Sequence, residues 1–321
     1  ECVGSEDSYK HSKWISFMAK RLEIARNLLS DNGVIFISID DNEQSNLKLL
    51  CDSIFDNNNF VGTIIHQRAK GGGQAKHIVK GHDYIHIFAK RIGNLTLSRR
   101  KEIEITPKMK EINGHFYIKN DDVIRKTFGK YDKTMDRRCF YEELLQYKGE
   151  KKKKEVDQKI ATGEYFLEER NGMHVICEYL PVEGARAKLY SIIKVLSEEG
   201  KKELSDLGIT VFDYPKPLSL IEQLCDTNNN KNCTILDFFA GSGTTGHAVM
   251  KLNAEDGGSR KFILCTNNEN NICRDVTYER IKRVIAKEDY KASLKYFKVD
   301  YLPISDKLYY EYADVLLLHI R

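Results

Sequence analysis

Residues 234–252 read T-I-L-D-F-F-A-G-S-G-T-T-G-H-A-V-M-K-L. Thr234, Ile235 and Leu236 have the character of the end of a buried strand, and Asp237 closes it. Gly241, Gly243 and Gly246 then permit a tight turn, and residues 247–252 resume at helical spacing. A strand, a glycine turn and a helix N-terminus in succession bring backbone N–H groups within reach of a ligand. A plain strand-to-helix connection has no need of three glycines at this spacing beside an Asp. The stretch therefore predicts an α/β sheet with a ligand site at a strand's carboxyl end.

Three ligand classes use such turns. Gly241, Gly243 and Gly246 match the dinucleotide pattern G-x-G-x-x-G, and Glu269 stands near the position of a ribose-binding acid. By itself the pattern fits NAD as well as S-adenosylmethionine. A phosphate-cradling loop would need Lys and Ser or Thr after its last glycine, where this chain has His247 and Ala248. The nucleoside triphosphate reading therefore fails.

Working outward, residues 12–29 form an amphipathic helix with Trp14, Phe17, Met18, Leu22, Ala25 and Leu29 on one face. Residues 34–40, V-I-F-I-S-I-D, are a nearly continuous apolar run, the mark of a strand buried on both faces in a parallel sheet. Asp41 is expected to cap the next helix, residues 43–55, whereas Asp40 is open to a ligand role. Strands follow at 60–66 and 84–89, joined by a loop with Arg68, Lys70, Lys76 and Lys80 around Gly71, Gly72 and Gly73. That loop is either solvated or a phosphate contact. After the helix at 218–225 and the glycine turn come a second buried strand at 261–271, a helix at 276–285, and a last strand at 296–299.

Between about residues 93 and 208 the texture differs. Basic clusters (Arg99 to Lys101, Lys108 to Lys110, Arg137 and Arg138, Lys151 to Lys154) interleave with Phe116, Tyr117, Phe128, Tyr131, Phe140, Tyr141, Tyr147, Tyr165 and Phe166. This pattern predicts an α+β insertion with a basic, aromatic face suited to nucleic acid. A lysine run by itself is ordinarily a solvated helix end.

The bulk properties set few further limits. With 321 residues, 31% charged and 41% hydrophobic, the chain has the composition of a globular protein of about two domains. The net charge of +4 permits nucleic-acid binding without requiring it. Eight cysteines without a C-x-x-C pair point to reduced thiols in a cytoplasmic protein, not to zinc or disulfides. No apolar run reaches the ~20 residues of a membrane span.

The strands at 34–40 and 60–66 precede the glycine turn and little of the sheet follows it, so the order is circularly permuted. With that order, L-D-F-F-A-G-S-G-T-T-G-H-A-V, Y-P-K-P-L-S-L-I, G-V-I-F-I-S-I-D-D-N-E and H-D-Y-I-H-I-F-A-K make the chain similar to the permuted β group of DNA amino-methyltransferases. More closely, it resembles the modification subunits of type III restriction–modification systems, across nearly everything outside 95–205. The resemblance implies a Rossmann-like sheet, S-adenosylmethionine as cofactor, and methylation of adenine N6 in double-stranded DNA. It implies that Asp237, Phe239, Gly241 and Gly243 lie along the donor's methionine part, with Thr244 and Thr245 at its carboxylate end. Lys216 and Pro217 would flank it, and Glu269, or Asn267 or Asn268, would take the ribose hydroxyls. The implied organisation is a catalytic part at 1–92, a target-recognition insertion at 93–208, the donor-binding part at 209–300, and the start of a C-terminal region at 301–321. Pairing with a restriction subunit and homodimerisation are implied as well.

One family element is missing. Its catalytic motif, Asp/Asn/Ser-Pro-Pro-aromatic, needs adjacent prolines, and Pro107, Pro181, Pro215, Pro217 and Pro303 are all isolated. No catalytic residue is assigned within these residues. In the family the strand bearing that motif lies between the strands at 234–236 and 34–40, so the sheet is expected to be incomplete, with two open edges. The expectation is a chain that lost an N-terminal part or pairs with a fragment supplying it, inactive alone. Two other readings stand beside it: a DNA-binding remnant without catalysis, and an NAD-dependent oxidoreductase.

Overall fold

The computed structural model of the chain describes residues 6–71, 75–101, 106, 109–127, 136–182 and 184–299. The expected terminal region at 301–321, Lys108, Phe128, Tyr131, Gly72 and Gly73 lie outside the described residues.

Helix α1 spans Lys10–Leu28 and leads into strand β1, Val34–Ile39. Helix α2 (Gln44–Phe55) and strands β2 (Phe60–Gln67) and β3 (His82–Ala89) follow. The insertion holds β4 (Arg99–Arg100), β5 (Lys110–Ile112), β6 (His115–Asn120), α3 (Leu144–Ala161), β7 (Tyr165–Arg170), β8 (Met173–Pro181) and β9 (Arg186–Ala187). The chain returns through β10 (Ile192–Lys194), α4 (Ser197–Asp206) and α5 (Leu218–Cys225). It ends with β11 (Thr234–Asp237), α6 (Thr244–Asp256), β12 (Lys261–Leu264) and α7 (Glu279–Glu288).

The main sheet has the order β1-β3-β2-β10. Alternation sorts β1 between two cores. Ile35, Ile37 and Ile39 pack with Met18, Leu22, Leu47, Cys51 and Phe55 of α1 and α2, while Val34 and Phe36 pack with Ile64, Ile85, Leu220 and Leu224 on the α5 side. Helices on both faces explain the apolar run. Its expected parallel partner is a correction: β1 pairs antiparallel with β3, Val34 opposite Ala89 and Ile39 opposite Tyr84. An apolar run records burial on two faces, which is the same for either strand direction. Only β10 pairs parallel within this sheet, with β2.

A second sheet consists of β11 and β12, parallel, with Thr234 opposite Lys261 and Asp237 opposite Leu264. Among the described residues neither β1 nor β11 has a partner on its other side. The strand expected at 261–271 ends at Leu264 and leaves Lys261 and Ile263 exposed, and 296–299 forms no strand, with Phe297 and Val299 exposed. Phe17 is another correction: it lies half exposed on α1 instead of joining that helix's buried stripe.

The insertion is α+β, with α3 packed on the antiparallel sheet β5-β6-β8-β7. Residues 192–207, placed by sequence inside the insertion, instead supply β10 to the main sheet and α4, whose Leu204 packs with Ile209 and Val276. The expected basic face is partly neutralised within the protein. Arg137 pairs with Asp122, Arg138 with Asp121 and Asp136, Lys152 with Glu155 and Lys153 with Asp157. Several aromatics are likewise internal: Phe140 is buried, Phe166 stacks on Tyr179, and the Tyr141 hydroxyl donates to Asp157. Residue types cannot show that Arg137 and Arg138 meet Asp122 and Asp121, whereas the two lysine pairs lie within α3 at i,i+3 and i,i+4 spacing.

In the 67–83 loop, Arg68 faces Asp83 at 3.5 Å, Lys70 faces Glu198 at 3.4 Å and Lys80 faces Asp41 at 3.5 Å. Asp41 therefore does not cap α2, whose N-cap is Glu43 without a side-chain bond. A hydrogen bond from Tyr84, first, and the nearby Lys80 hold its carboxyl below the usual range. Asp40 folds onto the Asn42 amide at 2.9 Å.

Candidate methyl-donor site

Strand β11 delivers Asp237 to the turn, and its carboxylate is doubly held. The Phe239 amide donates to Oδ1 at 3.1 Å and the Thr245 hydroxyl to Oδ2 at 2.6 Å. The main chain is pinned to the neighbouring strand by Cys265 N to Asp237 O (2.8 Å) and Ala240 N to Cys265 O (3.1 Å). Gly241 and Gly243 both have positive φ, +49° and +74°. Gly243 is the N-cap of α6, and a Cβ there would lie 3.1 Å from the Thr277 methyl. Left-handed backbone and a crowded neighbour together require glycine at this point. Gly246 is needed for a different reason: a Cβ would come within 2.6 Å of Ile281 and 3.1 Å of Leu264. It lets α6 sit close against α7 and β12.

The first N–H groups of α6 have no intrahelical acceptor and carry the positive end of the helix dipole. They suit a carboxylate. The threonine hydroxyls are otherwise engaged. Thr245 serves Asp237, and Thr244 donates to Lys216 O at 3.1 Å. Lys216 thereby meets the glycine turn through its carbonyl, with Pro217 next in the chain. The Lys216 ammonium turns to buried Asp83, 2.8 Å away. Phe239 is 53% exposed, and its ring lies 5.2 Å from Phe238 and 6.3 Å from Phe17, an apolar rim available to a ligand.

Eight of the nine expected residues thus converge: Asp237, Phe239, Gly241, Gly243, Thr244, Thr245, Lys216 and Pro217. Glu269 stands apart, in an exposed turn after β12 where Asn268, Asn270 and Asn271 have positive φ. Its carboxylate accepts from Asn267 at 3.2 Å. Among the described residues it has no hydrogen bond or ion pair with Asp237, Lys216 or the glycine turn. Asn268 instead accepts from the amides of Cys273 and Arg274.

Sequence reasoning missed three groups beneath the turn. Thr277 donates to Gly241 O at 2.6 Å. Fully buried Arg280 donates to Thr244 Oγ1 at 2.7 Å and to Glu203 at 3.3 Å. Glu203 itself accepts from the Leu218 amide. No periodicity marks a buried arginine. Beside it, burial first and Arg280 second push His247 down to about 3.

The donor set fits a small ligand with a carboxylate and an aromatic ring. It comprises helix amides, a fixed carboxylate, glycine clearance and exposed phenylalanine. A DNA methylase family model matches residues 3–279. The StyLTI Mod subunit of a type III restriction–modification enzyme, from Salmonella typhimurium, is 37% identical over 301 residues, 86% of this chain and 46% of that one. The type II methyltransferase M.KpnI of Klebsiella pneumoniae is 31% identical, covering 83% of this chain and 70% of its own length. The EcoPI Mod subunit of Escherichia phage P1 is 29% identical over 83% of this chain. This chain spans about half the length of the two Mod subunits. Among solved structures, an M1.HpyAVI–SAM complex aligns over 84% of this chain and 82% of its own, with 16% identity and a TM-score of 0.43.

Proposed function

The chain belongs to the DNA methylase family, and on that premise we propose that it carries the methyl-donor half of an adenine-N6 DNA methyltransferase of the type III modification kind. The observation that carries this reading is the turn from Asp237 to Thr245, with its tethered carboxylate, left-handed glycines and open helix amides. S-adenosylmethionine, when bound, supplies an electrophilic methyl group on sulfur. The α6 amides would hold its carboxylate, Gly241 and Gly243 would give clearance, Phe239 would cover it, and Lys216 and Pro217 would line its flank. The hydroxyls of Thr244 and Thr245 would act indirectly, by fixing the loop. Glu269 or its Asn neighbours would take the ribose hydroxyls.

Methyl transfer also needs acceptors for the target amino group. In this family they belong to the Pro-Pro-aromatic motif, absent from these residues, whose strand would fill the gap bordered by β1 and β11. The residues described here therefore supply the donor side of that reaction. Double-stranded DNA, a restriction subunit and a second copy are its proposed partners, with the 93–208 insertion facing the target, in the cytoplasm. No helix among the described residues is long and apolar enough to cross a membrane.

Thermal denaturation with S-adenosylhomocysteine or NAD tests this reading. At about 100 times its Kd, a ligand specific for the native state adds about 2.7 kcal/mol. S-adenosylhomocysteine should raise the melting temperature and NAD should not. Stabilisation by NAD alone overturns the reading.

A further inference from the structure

Among the described residues Arg280 is the largest fully buried side chain, and only one carboxylate accompanies it. Its Nη1 donates to Thr244 Oγ1 at 2.7 Å and Ser242 Oγ at 3.3 Å. Its Nη2 reaches Glu203 Oε2 at 3.3 Å and His247 Nδ1 at 3.4 Å, while Nε has no partner. Arg260 is buried as deeply but lies between two carboxylates, Asp226 at 3.4 Å and Asp256 at 2.9 Å. A buried cation held mainly by neutral groups is a poor stability device. What the planar guanidinium does well is hold several acceptors in one fixed geometry.

Those acceptors form a ring. Thr244 Oγ1, held by Arg280, donates onward to Lys216 O. Glu203, held by Arg280, accepts the amide of Leu218 through both oxygens at 3.0–3.1 Å. Arg280 thus grips the backbone on both sides of Pro217 and the first turn of α6 together. The wide π-type turn of Cys273–Tyr278 just before α7 adds a second anchor, Thr277, on Gly241 O. Such turns recur where a helix must present side chains out of ordinary register. Burial pushes Arg280 down to about 10, so it remains a cation at neutral pH, and it raises Glu203.

We propose that Arg280 is a positioning residue of the methyl-donor site, locking the glycine turn and the Lys216 and Pro217 segment to each other through Thr244 and Glu203. The inference rests on the donor-site reading above. It extends that reading to residues on α4 and α7 that need not touch the donor.

The test compares Arg280→Lys with Arg260→Lys, each keeping a buried cation. S-adenosylhomocysteine affinity is measured by calorimetry well below the melting temperature. Backbone hydrogen exchange is measured without ligand. Arg280→Lys should weaken binding roughly tenfold or more, whereas Arg260→Lys should change it by less than about twofold. Exchange should rise at 216–219 and 241–246 in the first variant alone. Glu203→Gln, which retains an acceptor for Leu218, should loosen the same two stretches and serves if Arg280→Lys does not fold. Equal affinities in the two lysine variants, or a uniform rise in exchange in both, would overturn the proposal. If the unaltered chain fails to bind S-adenosylhomocysteine, the donor reading falls, and the exchange comparison still decides whether Arg280 couples the two segments.

Discussion

His247 shows how much a single position owes to its neighbours. The sequence places it after the third glycine, where a phosphate-binding loop would have lysine. In the structure it is part-buried beside Arg280, with Lys251 and Lys287 nearby, and stays neutral down to about pH 3. An unfolded histidine takes up its proton near pH 6.5. The stability linked to His247 is therefore complete above that value and is lost as pH falls from about 6.5 toward about 3, at up to about 1.4 kcal/mol per pH unit. Buried His66 and His86, also lowered, act in the same direction, while Glu203, raised by burial, acts against it. Urea unfolding between pH about 7.5 and about 5 should show a steep loss in the native chain and a shallower one in His247→Gln. Equal slopes would refute the assignment. The glycines of this turn were legible because their backbone needs are local. His247, Arg280 and Glu203 were not, since burial depends on residues more than 30 positions away.

At the level of elements, the insertion is attached by a cluster of charges. Strands β4 and β9 supply Arg100 and Arg186, both bound to Asp226 at the end of α5. Arg100 also reaches Glu255 and Asp256 at the end of α6, where buried Arg260 joins from the other side. Arg186 donates further to Ser98 and to the Asp226 carbonyl. Helix α6 thus begins at the donor site and ends at the root of the insertion. Asp226→Asn would leave Arg260 and Arg186 short of a counter-charge. A loss of about 3 kcal/mol in urea unfolding is expected, as for other buried pairs deprived of one partner. A loss under about 1 kcal/mol would mean that Asp256 alone suffices. Arg100 belongs to a basic cluster that sequence patterning assigned to nucleic acid, and its engagement here removes it from that role.

For the whole molecule, the decisive feature is the pair of open strand edges. Among the described residues the outer edges of β1 and β11 pair with no further strand, and apolar side chains flank both. Concentration-dependent self-association of the 321-residue chain is expected in sedimentation velocity. Ser38→Lys, on the exposed part of β1, should reduce it by adding a charge along that edge. Identical sedimentation of the two proteins at high concentration would show that the edges are covered.

What the sequence determined alone was local and periodic: the buried strands and amphipathic helices, the glycine turn after β11, the permuted order, and the lack of adjacent prolines. Each follows from backbone sterics or from alternation of apolar residues within a few positions. Tertiary structure decided the rest. It paired β1 antiparallel to β3, drew β10 out of the insertion, paired Arg137 with Asp122 and Arg100 with Asp226, and buried Arg280 under the donor turn. These outcomes depend on which distant groups meet. Strand direction, ion pairing and desolvation are properties of pairs of segments, which no single stretch of sequence contains.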